Sequence, residues 1–351
     1  MKKFILASIF ILTIAIPQSL HAQWAMLYGG SEDEWANSVQ QTSDGGYIVA
    51  GSTESFGEGL PDIWALKLSF TGDIEWQRTY GGIQSEEAYS IQETSDGGYI
   101  VVGYTDSFGL GNEDIWVLKL TSEGDIEWQR TFGGSGVDWA TSVQQTSDGG
   151  YIIGGSSDSF GNGEVAFLVI KVSALGNVEW QDIYTPFVNS YLRSIRETSD
   201  GGYIVAGHIS PSLNNSYDLL ILKLDSIGLL EWQRFYGGSQ DDWANAIQET
   251  DDGGYFVAGY TESFGAGNWD FWVLKLTSIG NIDWEIAYGG IGDDWANSAQ
   301  QTSDGGFIIA GASDSFGAGL SDFWLLKLSS SGNIEWQTPY GDTGEDAAFS
   351  I

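Results

Sequence analysis

The sequence predicts an all-β protein, a β-propeller of four-stranded antiparallel blades, and three observations predict it. An Asp-Gly-Gly-aromatic tetrad recurs at Asp44, Asp96, Asp148, Asp200, Asp252 and Asp304, an unbroken 52-residue step. Each unit divides into four short runs separated by turn residues, which leaves no room for a helix. A tryptophan returns at one place in every unit: Trp76, Trp128, Trp180, Trp232, Trp284 and Trp336. Repeats of about 50 residues with four strands each close most naturally as blades around an axis.

Residues 1–22 read as a secretory signal peptide. Met1-Lys2-Lys3 is followed by an apolar run from Phe4 to Ile16, and Ser19-Leu20-His21-Ala22 offers a cleavage site before Gln23. Residues 23–351 are then the propeller domain, expected to be secreted, periplasmic or at the cell surface. No other stretch approaches the ~18 apolar residues of a membrane span.

Trp24 to Tyr28 matches the segment that closes each later unit, so a last strand comes first in the chain. In the first complete unit, 31–82, Trp35–Gln41 is the first strand and Ser43–Gly46 a hairpin, where Asp-Gly supplies positive backbone angles. Tyr47–Thr53 is a second strand whose continuous apolar run implies burial on both faces. A glycine-rich loop over 54–61 leads to a third strand, Asp62–Leu68, then a turn at Ser69–Asp73 and a fourth strand, Ile74–Thr79. The flat Trp side chains suit the place where one sheet packs on the next. Six complete units end at Tyr340, and Glu345–Ile351 repeats the opening of a seventh. Two closures fit: six blades with loose terminal strands, or seven blades in which Trp24–Tyr28 is the outer strand of the last and further strands follow Ile351.

With 42% hydrophobic and 14% aromatic residues the chain can bury a large core despite a formal charge of −35. The absence of cysteine removes disulfides, thiolate metal sites, Cys nucleophiles and a lipoprotein anchor. The charge argues against nucleic acid and anionic lipid, which need clustered Lys and Arg. It suits cations, polar sugars or basic protein surfaces, and by itself also serves to keep a monomer soluble.

The turns Gly72-Asp73-Ile74-Glu75-Trp76 and Gly124-Asp125-Ile126-Glu127-Trp128, with Gly280 to Trp284 and Gly332 to Trp336, resemble the glycine-to-tryptophan half of the docking motif of quinoprotein-like propellers. Leu66 and Leu68 stand where that motif opens with Ala and Asp. The resemblance implies the fold; the family's quinone, commonly beside a vicinal disulfide, is not carried over to a chain without cysteine. The unit is also similar to the roughly 50-residue repeats of exported bacterial surface proteins. Kelch repeats are a weaker match, through Gly154-Gly155 alone.

Lys67, Lys119, Lys171, Lys223, Lys275 and Lys327 fall opposite Glu75, Glu127, Glu179, Glu231, Asp283 and Glu335, as cross-strand pairs that fix register. Acids gather in two connections that leave a blade on the same face. Glu34, Glu86, Asp138, Asp242 and Asp294 are the candidate metal ligands there, with calcium the ion such oxygens suit and a solvated acidic rim the plain alternative. No dedicated calcium loop is present, and no other cofactor is implied. His208 is the sole histidine beyond the leader, so no Ser-His-Asp site is assembled.

Unit four breaks the repeat. Arg193 and Arg196 replace Asn37 and Gln40, Tyr184 to Tyr191 replaces the Tyr-Gly-Gly opening, and His208 to Tyr217 replaces the Ser-Phe-Gly loop. Arg193, Arg196, His208, Tyr191 and the adjacent Glu164 form the candidate ligand site, with an arginine holding a carboxylate or phosphate. Drift of one copy, its arginines paired with nearby acids, is the alternative. The expected function is a non-enzymatic binding or scaffold module for a polysaccharide or protein ligand at the propeller face; the second reading is a polysaccharide hydrolase using rim carboxylates.

Overall fold

The second and third strands of the first unit, Tyr47–Thr53 and Asp62–Leu68, are buried along their whole length, while the fourth, Ile74–Tyr80, is largely exposed. Burial therefore follows the continuous apolar runs. In this computed structural model, which describes residues 4–7, 25–160, 163–184, 189–210 and 216–351, those strands and Glu34–Gln41 form one antiparallel sheet ordered first to fourth. Five more sheets repeat it, over 86–132, 138–184, 190–236, 242–288 and 294–340. The chain is a ring of six four-stranded blades. Observed strand ends lie within one residue of the expected ones, the first strand starting at Glu34 and the fourth ending at Tyr80. Among the described residues no helix is long and apolar enough to cross a membrane.

Each blade packs its face onto the next. Ile48, Ala50, Ile63 and Ala65 of the first blade join Ala88, Ile91, Tyr99, Val101 and Trp116 of the second in one cluster. Trp76 lies over that junction. Its Nε1 donates to Ser122 O (2.9 Å), its ring meets Tyr99 at 5.8 Å, and a Cβ on Gly124 would stand 3.0 Å from it. The blade-to-blade wedge expected of this tryptophan is what the structure shows.

Two bulges recur in every blade. One, between Ala36 and Ser38 in blade one, leaves Asn37 as an extra residue on the innermost strand. The other corrects the expected lysine register: Trp76, not Glu75, faces Lys67, and Glu75 is the extra residue. The Lys67–Glu75 pair still forms at 3.1 Å because the bulge turns Glu75 toward it. Among the described residues Lys275 pairs with Asp252 and not with Asp283, a side chain one methylene shorter.

Most of the expected leader, residues 1–3 and 8–22, lies outside the described residues. Phe4–Ala7 forms a strand paired with Ala25–Tyr28.

Candidate functional site

The bulge on the innermost strand re-aims one side chain per blade at the central axis. Asn37, Tyr89, Thr141, Arg193, Asn245 and Asn297, with Phe349 from the C-terminal segment, line a cavity of ≈ 430 Å³ together with Tyr260, Trp269 and Trp295. The channel beneath, ≈ 1130 Å³, is walled by the following residues of the same strands, including Ser38, Gln40, Ser142 and Arg196. A repeat position otherwise filled by amides, a hydroxyl and an aromatic thus carries a single cation, Arg193.

Arg193 is half-buried and its Nε has no hydrogen-bond partner. The guanidinium carbon lies 5.9 Å from the centre of the Trp243 ring, within cation–π range. Burial lowers its pKa, and Tyr260, Tyr89 and Tyr191 act in the opposite sense. Arg196 differs: Nη1 donates to Ser142 Oγ (3.0 Å) of the preceding blade and to Ile195 O (2.8 Å). Among the described residues neither arginine makes an ion pair, so pairing with nearby acids does not account for them. Arg193 is the one with free donor capacity toward the channel.

Around Arg193 runs a belt of aromatic rings over blades three to five. Trp139 stacks on Tyr191 (6.1 Å), Tyr191 on His208 (5.1 Å), and His208 meets Trp243 at 3.8 Å. Trp243 continues to Tyr260 (5.4 Å) and Tyr260 to Trp269 (5.1 Å), while Tyr217 meets Trp243 at 5.1 Å. Trp269 Nε1 donates to Glu262. His208 is fully buried, neither ring nitrogen has a hydrogen-bond partner, and burial followed by the Arg193 charge holds its pKa well below the usual range. It is a neutral stacking ring at pH 7. Glu164 is exposed, near enough to Tyr191 to raise its pKa beside the larger effect of burial.

The structure therefore brings Arg193, Tyr191 and His208 together, places Arg196 one level deeper and leaves Glu164 on the open surface. The segments 185–188 and 211–215 of the divergent unit lie outside the described residues. Sequence reasoning missed Tyr89, Tyr260, Trp269 and Trp295. Comparing one repeat position across units gives the signal: Pro61, Glu113, Val165, Tyr217, Trp269 and Ser321 share a place, and its aromatics cluster in units four and five.

The five acids expected on the open rim are buried instead. Glu86 accepts the Gly82 N–H (2.8 Å) and the Thr105 hydroxyl (2.8 Å); Asp294 accepts the Gly290 N–H (2.9 Å) and the Ser315 hydroxyl (2.7 Å). Glu34, Asp138 and Asp242 accept from Gly30, Gly134 and Gly238 in the same way. These carboxylates satisfy the backbone of the loop leading into each blade. Asp62 lies beside Glu86, and burial, with a further push from Glu86 against the Glu58 N–H, raises its pKa. Among the described residues no three candidate metal ligands gather.

No family profile and no curated protein matches the chain. Solved propellers do. The Neurospora crassa Pan2 WD40 domain is similar at a TM-score of 0.55 and 11% identity, over 90% of this chain and 81% of that one. The Chaetomium thermophilum Sqt1 bound to the N-terminus of the ribosomal protein L10 gives 0.54 and 12%, over 88% and 75%. A puromycin hydrolase gives 0.52 and 11%, over 90% of this chain and 48% of the other. At such identities the likeness is one of fold, the β-propeller.

Proposed function

We propose that this chain is an exported binding or scaffold module of the quinoprotein-like kind, without catalytic activity, which holds an anionic group of a protein or glycan ligand at the mouth of its central channel. One observation carries the reading. Arg193 is a lone cation at the axial mouth, unpaired by any carboxylate among the described residues, backed by the aromatic belt of Tyr191, Trp243 and Tyr260. A guanidinium with unused donors beside aromatic faces suits a carboxylate carried on a sugar ring or a peptide. Protein ligands gain support from the similar Sqt1 propeller, solved bound to a peptide segment of a ribosomal protein. Asp62 and Glu86, 2% and 0% exposed, are themselves out of a substrate's reach.

The test is binding of the purified chain to arrays of uronic-acid oligosaccharides and of acidic peptides, with and without calcium, for wild type, Arg193→Ala and Arg196→Ala. Binding lost in Arg193→Ala and kept in Arg196→Ala supports the reading. Binding that survives Arg193→Ala, or none to either array by a folded protein, overturns it.

A further inference from the structure

Side chains of each blade take up the backbone groups that the next innermost strand turns toward the channel. Ile91 N–H donates to Ser38 Oγ (3.2 Å) and Glu93 N–H to Gln40 Oε1 (2.7 Å), both on the preceding blade. Ile195 and Glu197 do the same with Ser142 (3.2 Å) and Gln144 (2.7 Å). Carbonyls are taken as well: Asn37 Nδ2 donates to Ala88 O (2.9 Å), Thr141 Oγ1 to Leu192 O (2.8 Å) and Asn245 Nδ2 to Ala296 O (2.8 Å). A peptide that binds as an added strand needs such groups free. Recognition at the channel mouth therefore falls to side chains.

The same bonds fix the amides. An Nδ2 that donates to a backbone carbonyl sets the Oδ1 of its side chain apart from that bond, as an acceptor. Asn297 Nδ2 is held in this manner by Ala348 O (2.8 Å). Among the described residues no protein donor reaches the Oδ1 of Asn37, Asn245 or Asn297, and all three residues line the cavity of ≈ 430 Å³. Its size falls within the range of about 300–1,000 Å³ usual for small-ligand sites. Arg193, whose Nε has no hydrogen-bond partner, and Trp269, at the end of the aromatic belt, line it too. Carboxylates stand close by. Glu87 accepts from Asn37 Nδ2 (2.8 Å) and from the Tyr89 hydroxyl (3.2 Å), and Glu262 accepts from Trp269 Nε1. One cation is thus set among acids, in a chain of formal charge −35.

We propose that the mouth takes one acidic sugar ring of an otherwise neutral glycan, its carboxylate on Arg193, its hydroxyls donating to the amide oxygens of Asn245 and Asn297, and its ring face laid on Trp269. The inference rests on the anion-binding reading of Arg193 and narrows it. A carboxylate accepts two parallel donors from a guanidinium. Sugar hydroxyls are donors of the kind that the unused amide oxygens call for, and an indole offers the ring a flat apolar face. Further anions on the same ligand would meet Glu87 and Glu262 with no second cation to offset them, so the site selects against polyanions by repulsion. An extended acidic peptide is left without main-chain pairing, because the backbone groups named above are already bonded.

The probes are neutral oligosaccharides that each end in one glucuronate or one galacturonate, titrated against the full chain beside their methyl esters and polyuronates of equal length. Saturable binding of one monouronate per chain is expected. The ester, which keeps every ring hydroxyl and loses the charge, binds at least tenfold more weakly. So does the polyuronate, which recovers part of its loss as salt screens the repulsion. Trp269→Ala, with Tm as the check on folding, weakens monouronate binding at least tenfold, and Trp269→Phe restores most of it. A folded chain that binds no monouronate, or that binds the ester or the polyuronate equally well, overturns the inference. Arg193-dependent binding of acidic peptides or polyuronates in its place overturns it and leaves the broader reading of Arg193 standing. Monouronate binding that survives Arg193→Ala overturns both.

Discussion

Lys67 Nζ lies 2.8 Å from Asp44 Oδ2, and this pair explains the Asp-Gly-Gly motif on which the repeat is built. The lysine is buried, crosses beneath the hairpin and donates to Leu68 O (3.3 Å). Asp44 Oδ1 accepts the Gly46 N–H (2.9 Å) and the Thr42 hydroxyl (2.5 Å). All six blades repeat the ion pair at 2.8 to 3.1 Å, from Lys119–Asp96 to Lys327–Asp304.

The two glycines of the motif answer to different causes, and substitution separates them. Gly45 has φ +85° with open space around it, so Gly45→Ala costs only the left-handed backbone penalty, about 1–2 kcal/mol. A Cβ on Gly46 would stand 2.3 Å from Leu68 O and 2.5 Å from Lys67 Nζ, and the carbonyl cannot retreat without breaking the blade. Gly46→Ala is expected to cost about 3 kcal/mol, in the range of severe core substitutions. Urea unfolding of both variants checks the order, and equal costs would refute the steric account of Gly46.

Acid stability follows from the same turn. The hydrogen bonds from Lys67 and then Thr42 hold the Asp44 carboxyl at about 2. At Asp96 burial pushes upward, but Thr94, Lys119 and Gly98 outweigh it, again to about 2. A carboxyl depressed in the folded state stabilises above its unfolded pKa of about 4, and that stability is lost as pH falls toward 2. The junction acids have the opposite sign. Burial, and then Asp242 beside Asp218, raise the pKa of Asp218; burial, opposed by the Ala266 N–H and aided by Asp294, raises that of Asp270. Their protonated forms are favoured by folding, so their contribution is lost as pH rises above the ordinary carboxyl range. Tm should therefore rise on acidification from neutral pH and then drop below about pH 4. A steady fall from pH 7 downward would count against the junction acids.

Replacing the lysine tests the coupling directly. Lys67→Met keeps the buried stem and removes the charge, leaving Asp44 and Glu75, both about half-exposed, to be solvated. The expected loss is about 1–2 kcal/mol, chiefly from the lost donor to Leu68 O. The Asp44 carboxyl returns toward its ordinary range, which an NMR titration of that side chain reads. An Asp44 titration unchanged by the substitution would show that Thr42 and the backbone set it alone.

Strands and hairpins were legible because their signals are local: Asp-Gly at the turn, a continuous apolar run after it. The buried lysine's second partner was not, since Lys67 and Asp44 come together only through the pairing of second and third strands, Ile48 facing Lys67. Arg193 was singled out as a departure from the repeat, but its direction was hidden because the bulge between Leu192 and Ser194 has no residue signature of its own. The acids assigned to the rim went astray for a related reason. Sequence places Glu86 in a loop, and only the fold shows the Gly82 N–H and Thr105 hydroxyl that draw its carboxylate inward.

One substitution made at equivalent places should reveal that blades are unequal. Trp76 sits over the Gly124 turn of the following blade, as Trp128, Trp180 and Trp232 sit over Gly176, Gly228 and Gly280, where a Cβ would come within 3.0 Å of the ring. Trp76→Ala removes the contact with Tyr99 and the bond to Ser122 O, and is expected to cost about 3 kcal/mol. Trp336 holds the same repeat position in the sixth blade yet is 37% exposed. Trp336→Ala is expected to cost less than about 0.5 kcal/mol, as for an ordinary surface site. Chemical unfolding of the two variants side by side measures the difference. Equal losses would mean that Trp336 is covered by a part of the chain that Trp76 does not need, and the sixth blade would then have a closed outer face.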